Sequence, residues 1–347
     1  MNYPTNPVLE DLVSVDPQSL PIIDVSPLAN GAGDPGGVAR DIREACREWG
    51  FFYVVGHGVS LELQRRLETQ SRVFFELPLE AKMEIRMAFG RLAWRGYFPV
   101  GDELTSGKPD VKEGLYFGAE LPEDDPRVRA GRPLHGPNLF PRDPVGLGGT
   151  VLEYMATLTD LGHALMRGVS LSLGLEAEHL RARFMTDPLT LFRIFHYPPV
   201  KQDPHAEERW GVGEHTDYGV LTILKQDAVG GLQVKTRSGW ISAPPVENSF
   251  VCNIGDMLDR MTRGLYRSTA HRVRNESGRA RFSFPFFFDP CWETRIEPLD
   301  LSGVPRLEDD AEERWDRASV HSFEGTYGDY VMGKVSRVFP DLGRSVT

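Results

Sequence analysis

GVGEHTDYGVLTIL, residues 211–224, opens the stretch whose reading decides the fold, and STAHRV (268–273) and RARFSFPFFF (279–288) answer it downstream. In an extended backbone residues i and i+2 project from one face, so His215 and Asp217 offer an imidazole and a carboxylate in the same direction. His271 follows Asp217 by 54 residues, too far for one hairpin and suited to a sheet that returns through several strands. Two imidazoles and one carboxylate make the facial ligand set that suits Fe(II) and leaves coordination positions open. Arg281 stands ten residues beyond His271, with Ser283 two further on and on the same strand face. A guanidinium fork beside a hydroxyl is a fitting grip for a carboxylate.

In this order and spacing the residues resemble those of the Fe(II)/2-oxoglutarate-dependent oxygenases, in the branch similar to isopenicillin N synthase, the plant flavonoid and hormone dioxygenases and the bacterial ethylene-forming enzyme. The resemblance implies that His215, Asp217 and His271 hold the metal and that Arg281 and Ser283, as an R-x-S motif, bind the distal carboxylate of 2-oxoglutarate. PIIDVSPL (21–28), GFFYVVGHGV (50–59) and YGDYVMGKVSRVFP (327–340) also read like this family, so nearly the whole chain is covered. One departure stands before the metal arm. Where plant members carry N-x-Y-Y-P, this chain has Phe195-His196-Tyr197-Pro198. Tyr197 carries over, the Asn position is Phe195, and Arg193, on the same strand face, is the expected replacement at the inner end of the cosubstrate.

The implied fold class is α+β, a double-stranded β-helix (jelly roll) core with flanking N-terminal α/β elements and supporting helices. The implied cofactors are Fe(II), 2-oxoglutarate and O2. The implied reaction is oxidation of a small metabolite, hydroxylation by default, with release of succinate and CO2. Asp217 leaves no vacated ligand position for a halide, which argues against halogenation.

Composition sets the outer bounds. The chain has 347 residues, 40% of them apolar, enough for a substantial core. A formal charge of -11 argues against nucleic-acid partners, because nothing neutralises phosphates in bulk. Cys46, Cys252 and Cys291 are odd in number and widely spaced, which fits neither a disulfide framework nor a zinc ribbon. A reducing cytoplasm is expected. The N-terminus lacks a basic start and an apolar run, and no stretch approaches a membrane span. A monomer acting on a small carboxylate-bearing molecule, such as an amino acid or a compact natural-product acid, is the expectation for partners.

Taken in order, residues 1 to about 20 read as a loose arm leading into a short strand at 20–25. Apolar spacing predicts helices over 38–49 and 61–75, on either side of a buried strand at 51–55. His57, between glycines at the end of that strand, is expected to be structural. Residues 88–144 are rich in Gly, Pro and charge without periodicity and read as long loops forming a lid. This run is similar to the pocket-walling loop of the ethylene-forming enzyme, which makes Arg95, Glu103, Thr105 and Tyr116 substrate candidates. Arg91, Lys108 and Lys112 are further cations of the same loop, and Phe286, from the aromatic run 284–288, is a candidate apolar wall. A long amphipathic helix is expected over 147–173. Strands are expected at 190–197, 219–225, 231–236, 239–243, 249–254, 268–274 and 280–288, and a closing helix at 318–338. Two regions follow: 1–145, the N-terminal α/β region and lid, packed on 146–347, the long helix, jelly-roll core and C-terminal helix.

Two other chemistries share parts of this pattern. A hydrolytic zinc site also uses two histidines and a carboxylate, but it needs no dedicated dicarboxylate grip such as Arg281 and Ser283. An iron oxidase that uses no 2-oxoglutarate carries the same triad and R-x-S, as isopenicillin N synthase does. A non-catalytic jelly roll that keeps its metal for stability has no use for the grip.

Overall fold

Strand register carries most of the architecture. The structure, a computed structural model, describes residues 19–31, 33–105, 108–199, 210–301 and 311–338. Its strands run β1 (Ile22–Asp24), β2 (Phe51–Val55), β3 (Gly96–Phe98), β4 (Leu104–Thr105), β5 (Lys108–Pro109), β6 (Glu113–Gly118) and β7 (Leu189–Tyr197). They continue with β8 (Val212–His215), β9 (Leu221–Gln226), β10 (Leu232–Thr236), β11 (Gly239–Ser242), β12 (Phe250–Ile254), β13 (His271–Val273) and β14 (Arg281–Asp289). Eight form one sheet in the order β1-β2-β12-β9-β14-β7-β6-β3, and four form a second in the order β11-β10-β13-β8. All the strand pairings in these two sheets are antiparallel except that of β1 with β2. The two sheets enclose a cavity between them, which is the jelly roll expected from the strand spacing.

The two-residue period decides what faces that cavity. On β14, Arg281, Ser283, Pro285, Phe287 and Asp289 look into it, as do Leu191, Arg193, Phe195 and Tyr197 on the neighbouring β7. The alternate residues point to the other side. There the long helix Leu147–Ser172 lies against the large sheet, with Tyr154 beside Phe192 and His163 edge-on to Phe288. Gly162 allows this approach, because a Cβ there would come within 2.8 Å of the Phe288 ring.

The expected helices form at 35–48, 61–76 and 147–172. The first begins earlier than its apolar spacing predicted, because the Asp34 carboxylate accepts from Gly36 N and Gly37 N and Pro35 opens the first turn. Two expectations need correction. The lid was read as loops throughout, but Gly96–Phe98 and Glu113–Gly118 extend the large sheet at its far edge. β6 (EGLYFG) is buried on both faces, so it carries no alternation to read. The closing helix spans only Tyr327–Val338. Arg317 (φ 50°) and Gly325 (φ 148°) turn the chain before it, and Thr326 and Asp329 cap it reciprocally. The N-terminal arm, up to residue 18, lies outside the described residues.

Phe286 is fully buried on the side of β14 that faces away from the cavity, next to Phe192 of β7. Phe286→Ala is expected to cost about 3–5 kcal/mol in urea unfolding while leaving Mn(II) affinity of the folded protein unchanged. Intact stability with weakened ligand binding would place the ring in the cavity instead.

Candidate metal centre and pocket

β13 pairs with β8 so that His271 lies directly opposite His215, and the two imidazole centroids are 4.2 Å apart. β8 ends at His215, so Asp217 is carried by the turn that follows rather than by the strand itself. Its orientation comes from the opposite sheet: Oδ2 accepts from Thr222 Oγ1 (2.5 Å) and Asn253 Nδ2 (2.7 Å). This leaves Oδ1 facing both rings, 3.8 Å from His215 Nε2 and 3.7 Å from His271 Nε2. Each ring turns Nδ1 to a backbone carbonyl, Gly213 O at 2.8 Å and Thr269 O at 3.3 Å, which assigns the proton to Nδ1 and frees Nε2 as a donor to a metal.

Burial, reinforced by the neighbouring His271, pushes the His215 imidazole down to about 3. Burial works against the Asp217 carboxylate too, but the two imidazoles and the Asn253 and Thr222 hydrogen bonds outweigh it and hold its pKa below the usual value. Neutral imidazoles and an ionised carboxylate are the protonation states in which these groups bind a metal.

A second feature of the cavity is a cation without enough partners. Arg281 is fully buried, its Nε donates to Gly230 O, and its two terminal nitrogens have no hydrogen-bond partner among the described residues. Tyr197 supports it, with the guanidinium carbon 4.5 Å from the ring centroid, and Tyr197 Oη lies 3.3 Å from Ser283 Oγ. A buried guanidinium with two idle donors is expensive unless an anion meets it.

The lid supplies a third group. Glu103 and Thr105 both line the cavity, and Glu103 lies 3.7 Å from Arg193 Nη1 and 2.8 Å from Lys112 Nζ. Thr105 Oγ1 donates to Asp110 Oδ2 at 2.5 Å, and Lys112 is paired with Asp110 as well. Burial opposes the Glu103 charge, yet Lys112 and Arg193 prevail and hold its pKa below the usual range. Arg193 lies over the rings of Tyr116 (4.2 Å) and Phe287 (4.8 Å).

Three of the substrate candidates are placed otherwise than the sequence suggested. Tyr116 does not reach the cavity; it stands behind its wall and donates its hydroxyl to Glu103 Oε1 at 2.6 Å. Phe286 faces away, and its neighbour Phe287 takes the wall position. Arg95 is buried elsewhere, bound to Leu134 O and lining a separate cavity, because β3 begins at Gly96 and turns Arg95 to the outer side of the lid. His57 is structural as expected, with Nδ1 accepting from Val59 N and Nε2 against Asn248 O.

Several groups went unforeseen. Asn253 and Thr222 carry no motif and become visible only through the pairing of β12 with β9. Tyr327, Val331, Val335 and Val338 of the C-terminal helix line the cavity at turn spacing, where the sequence reading gives only a closing helix.

Comparison with known proteins gives this geometry a lineage. Residues 20–143 match the model of the N-terminal region of a non-haem dioxygenase in morphine synthesis, and residues 188–290 match that of the 2OG-Fe(II) oxygenase superfamily. The chain is 50% identical to a probable iron/ascorbate oxidoreductase of Dictyostelium discoideum, over 95% of this chain and 97% of that one. The chain belongs to the 2OG-Fe(II) oxygenase superfamily. A 1-aminocyclopropane-1-carboxylate oxidase of Dictyostelium mucoroides is 39% identical over 95% of this chain and 97% of its own. A homoarginine-6-hydroxylase of Glycine max is 37% identical over 95% and 100% respectively. Among solved structures, a full-length Neurospora crassa protein in complex with alpha-KG and thymine is similar, with a TM-score of 0.75 and 29% identity over 93% of this chain and 98% of that one.

Membership makes this oxygenase an enzyme that uses Fe(II), 2-oxoglutarate and O2 to oxidise a small molecule. No helix among the described residues is long and apolar enough to cross a membrane. The donor set fits both absent groups: three ligand atoms within 4.8 Å of one another for the metal, and the idle Arg281 nitrogens for a dicarboxylate.

Asn253→Ala removes one of the two hydrogen bonds that aim Asp217. Mn(II) affinity, read by calorimetry at fixed pH, is expected to fall roughly 10–100-fold with the fold intact.

Proposed function

We propose that His215, Asp217 and His271 hold Fe(II), that Arg281, Ser283 and Tyr197 hold 2-oxoglutarate by its distal carboxylate, and that the prime substrate is a free α-amino acid. Bound iron supplies O2 activation and the oxidising power that converts 2-oxoglutarate to succinate and CO2 while the substrate gains oxygen. The chain's own groups orient and exclude. Arg281 meets the far carboxylate with two donors, Tyr197 and Ser283 flank it, and the valines of the C-terminal helix keep water from the reacting C–H bond.

The observation that carries the substrate reading is the Glu103–Arg193 pair, an anion and a cation 3.7 Å apart that both line the cavity. An α-amino acid presents the complementary pair, an ammonium and a carboxylate on one carbon. Arg193 is therefore moved from the inner end of 2-oxoglutarate to the substrate: with Glu103 beside it, a dianion would be repelled where a zwitterion is matched. Two of the similar relatives are named for amino-acid substrates, which supports the same class. Lys112, which also lines the cavity and is held by Asp110, pairs with Glu103 on its other side.

The test is succinate release and O2 uptake with a panel of free amino acids, their methyl esters and their N-acetyl forms. Free amino acids are expected to couple and both capped series to fail. Equal coupling by esters would remove Arg193 from carboxylate recognition.

Two variants separate the roles. Arg281→Lys is expected to raise the KM for 2-oxoglutarate about tenfold or more, the loss of a charge-assisted fork being about 1.5–3 kcal/mol. Arg193→Met is expected to raise the KM for the amino acid and leave that for 2-oxoglutarate unchanged; the reverse pattern returns Arg193 to the cosubstrate.

A further inference from the structure

Two arginines among the described residues are fully buried, Arg281 in the catalytic cavity and Arg95 outside it. Arg95 lies at the floor of a separate cavity of about 230 Å³, bounded by the outer lid, the segment 186–190 before and into β7, and the turn after β14. Its Nη2 donates to Leu134 O at 2.6 Å, its Nε has no partner, and it makes no ion pair among the described residues. The guanidinium is packed flat against Gly118, where a Cβ would fall 1.9 Å from Nη2, so a side chain at 118 would expel it. Burial lowers its pKa to about 9, which still leaves it charged at neutral pH.

The rest of the wall is cationic at its inner edge and balanced at its rim. Arg127 and Arg132 line the cavity with Arg95, and the two carboxylates that also line it, Asp187 and Glu293, pair with Arg127 and Arg132 while remaining largely exposed. Asp125 takes a further share of Arg127. Among the described residues no carboxylate pairs directly with Arg95. Glu120, the nearest acidic influence on it, is engaged by the Asn138 backbone and side-chain amides. His135 turns Nδ1 to Pro133 O, and burial and the arginines keep it neutral.

A buried cation that makes no direct ion pair and lines a void of this size is the arrangement a small oxyanion completes. We propose that this second cavity is a binding site for a small oxyanion of the phosphate or carboxylate class, with Arg95 as its main ligand and Arg132 at its mouth.

Cys291 gives the site a built-in reporter. Its thiol lines the cavity and is half-buried, whereas Cys46 and Cys252, the other two cysteines of the chain, are buried in the core. The experiment uses the full chain with Mn(II) and 2-oxoglutarate at saturation, so that the catalytic cavity is already filled. Inorganic phosphate and malonate are titrated in parallel by calorimetry, against chloride at matched ionic strength. Saturable binding of at least one is expected, weakened about tenfold or more in Arg95→Met, which keeps the packing volume and removes the charge. A preference for phosphate or malonate tells the two sources apart.

The second measurement needs no variant. Alkylation of Cys291 by iodoacetamide, followed by mass spectrometry, is expected to slow in the presence of whichever anion binds. Binding no better than chloride, an Arg95→Met protein that binds as the parent does, or an unchanged alkylation rate in saturating anion would each overturn the proposal.

Discussion

The antiparallel pairing of β7 with β14 is the constraint on which the rest depends. Register sets Tyr197 against Arg281 and Phe195 against Ser283, and the two-residue period then sorts every side chain along both strands. One face receives Arg193, Tyr197, Arg281 and Ser283; the other receives Phe192, Ile194, Phe284, Phe286 and Phe288. A slip of one residue would exchange them, burying four polar groups under the long helix and opening the phenylalanines to the cavity. The hydrophobic face and the binding face therefore enforce one another. The metal arm repeats this logic on the small sheet, where β8 and β13 present His215 and His271 across a register that continues to Val234 of β10.

This explains what the sequence made legible. The proposed metal ligands and the Arg281–Ser283 pair lie on or next to strands, where spacing translates directly into direction, so His215, His271, Arg281 and Ser283 could be placed on one face from their positions alone. Asp217 was found by the same rule although it stands beyond the strand end, because its aim is set by Thr222 and Asn253 rather than by strand geometry. The lid was less legible. A strand buried on both faces loses the alternation that announces a strand, and β6 is such a case. Arg95, Glu103, Thr105 and Tyr116 looked equivalent in a run without periodicity. Only the turn into β3 and the antiparallel β4–β5 pairing send Glu103 and Thr105 inward and Arg95 outward. The choice of Phe286 over Phe287 failed for a simpler reason: five consecutive apolar positions give the parity of a strand no mark, and the parity of Arg281 and Ser283 would have supplied it.

Electrostatics follows the same division between strand and loop. Groups on or just beyond the strands of the two sheets face the cavity with unused valence, as with Asp217 Oδ1 at the end of β8 and the Arg281 nitrogens on β14. On the lid, Lys112 pairs with both Glu103 and Asp110, and Arg193 of β7 joins the buried cluster through Glu103. A cluster closed on itself adds little net stability, yet loss of one member strands the others. It holds two opposite charges at a fixed separation where water screens them little, which is what the proposed recognition of a zwitterion would need.

The C-terminal helix completes the enclosure, and its placement rests on two buried carboxylates, Asp256 and Asp289. Asp256 receives the Arg314 guanidinium and the Tyr330 hydroxyl (2.7 Å), with Lys334 at 3.8 Å, and Lys334 also pairs with Asp316 at 2.7 Å. These contacts fix the rotation of the helix about its own axis. With Tyr330 and Lys334 turned to Asp256, the positions one residue on, Val331 and Val335, are carried round toward the cavity, and Tyr327 and Val338 continue the same stripe. Tyr327 is fixed independently by its hydroxyl on Asp289, the last residue of β14. Asp289 also faces the cavity, and burial raises its carboxyl to about 7, so the hydroxyl of Tyr327 meets a group near neutrality rather than a full charge. The same strand that carries Arg281, the proposed cosubstrate grip, near its start thus anchors the apolar side of the cavity at its end through Asp289.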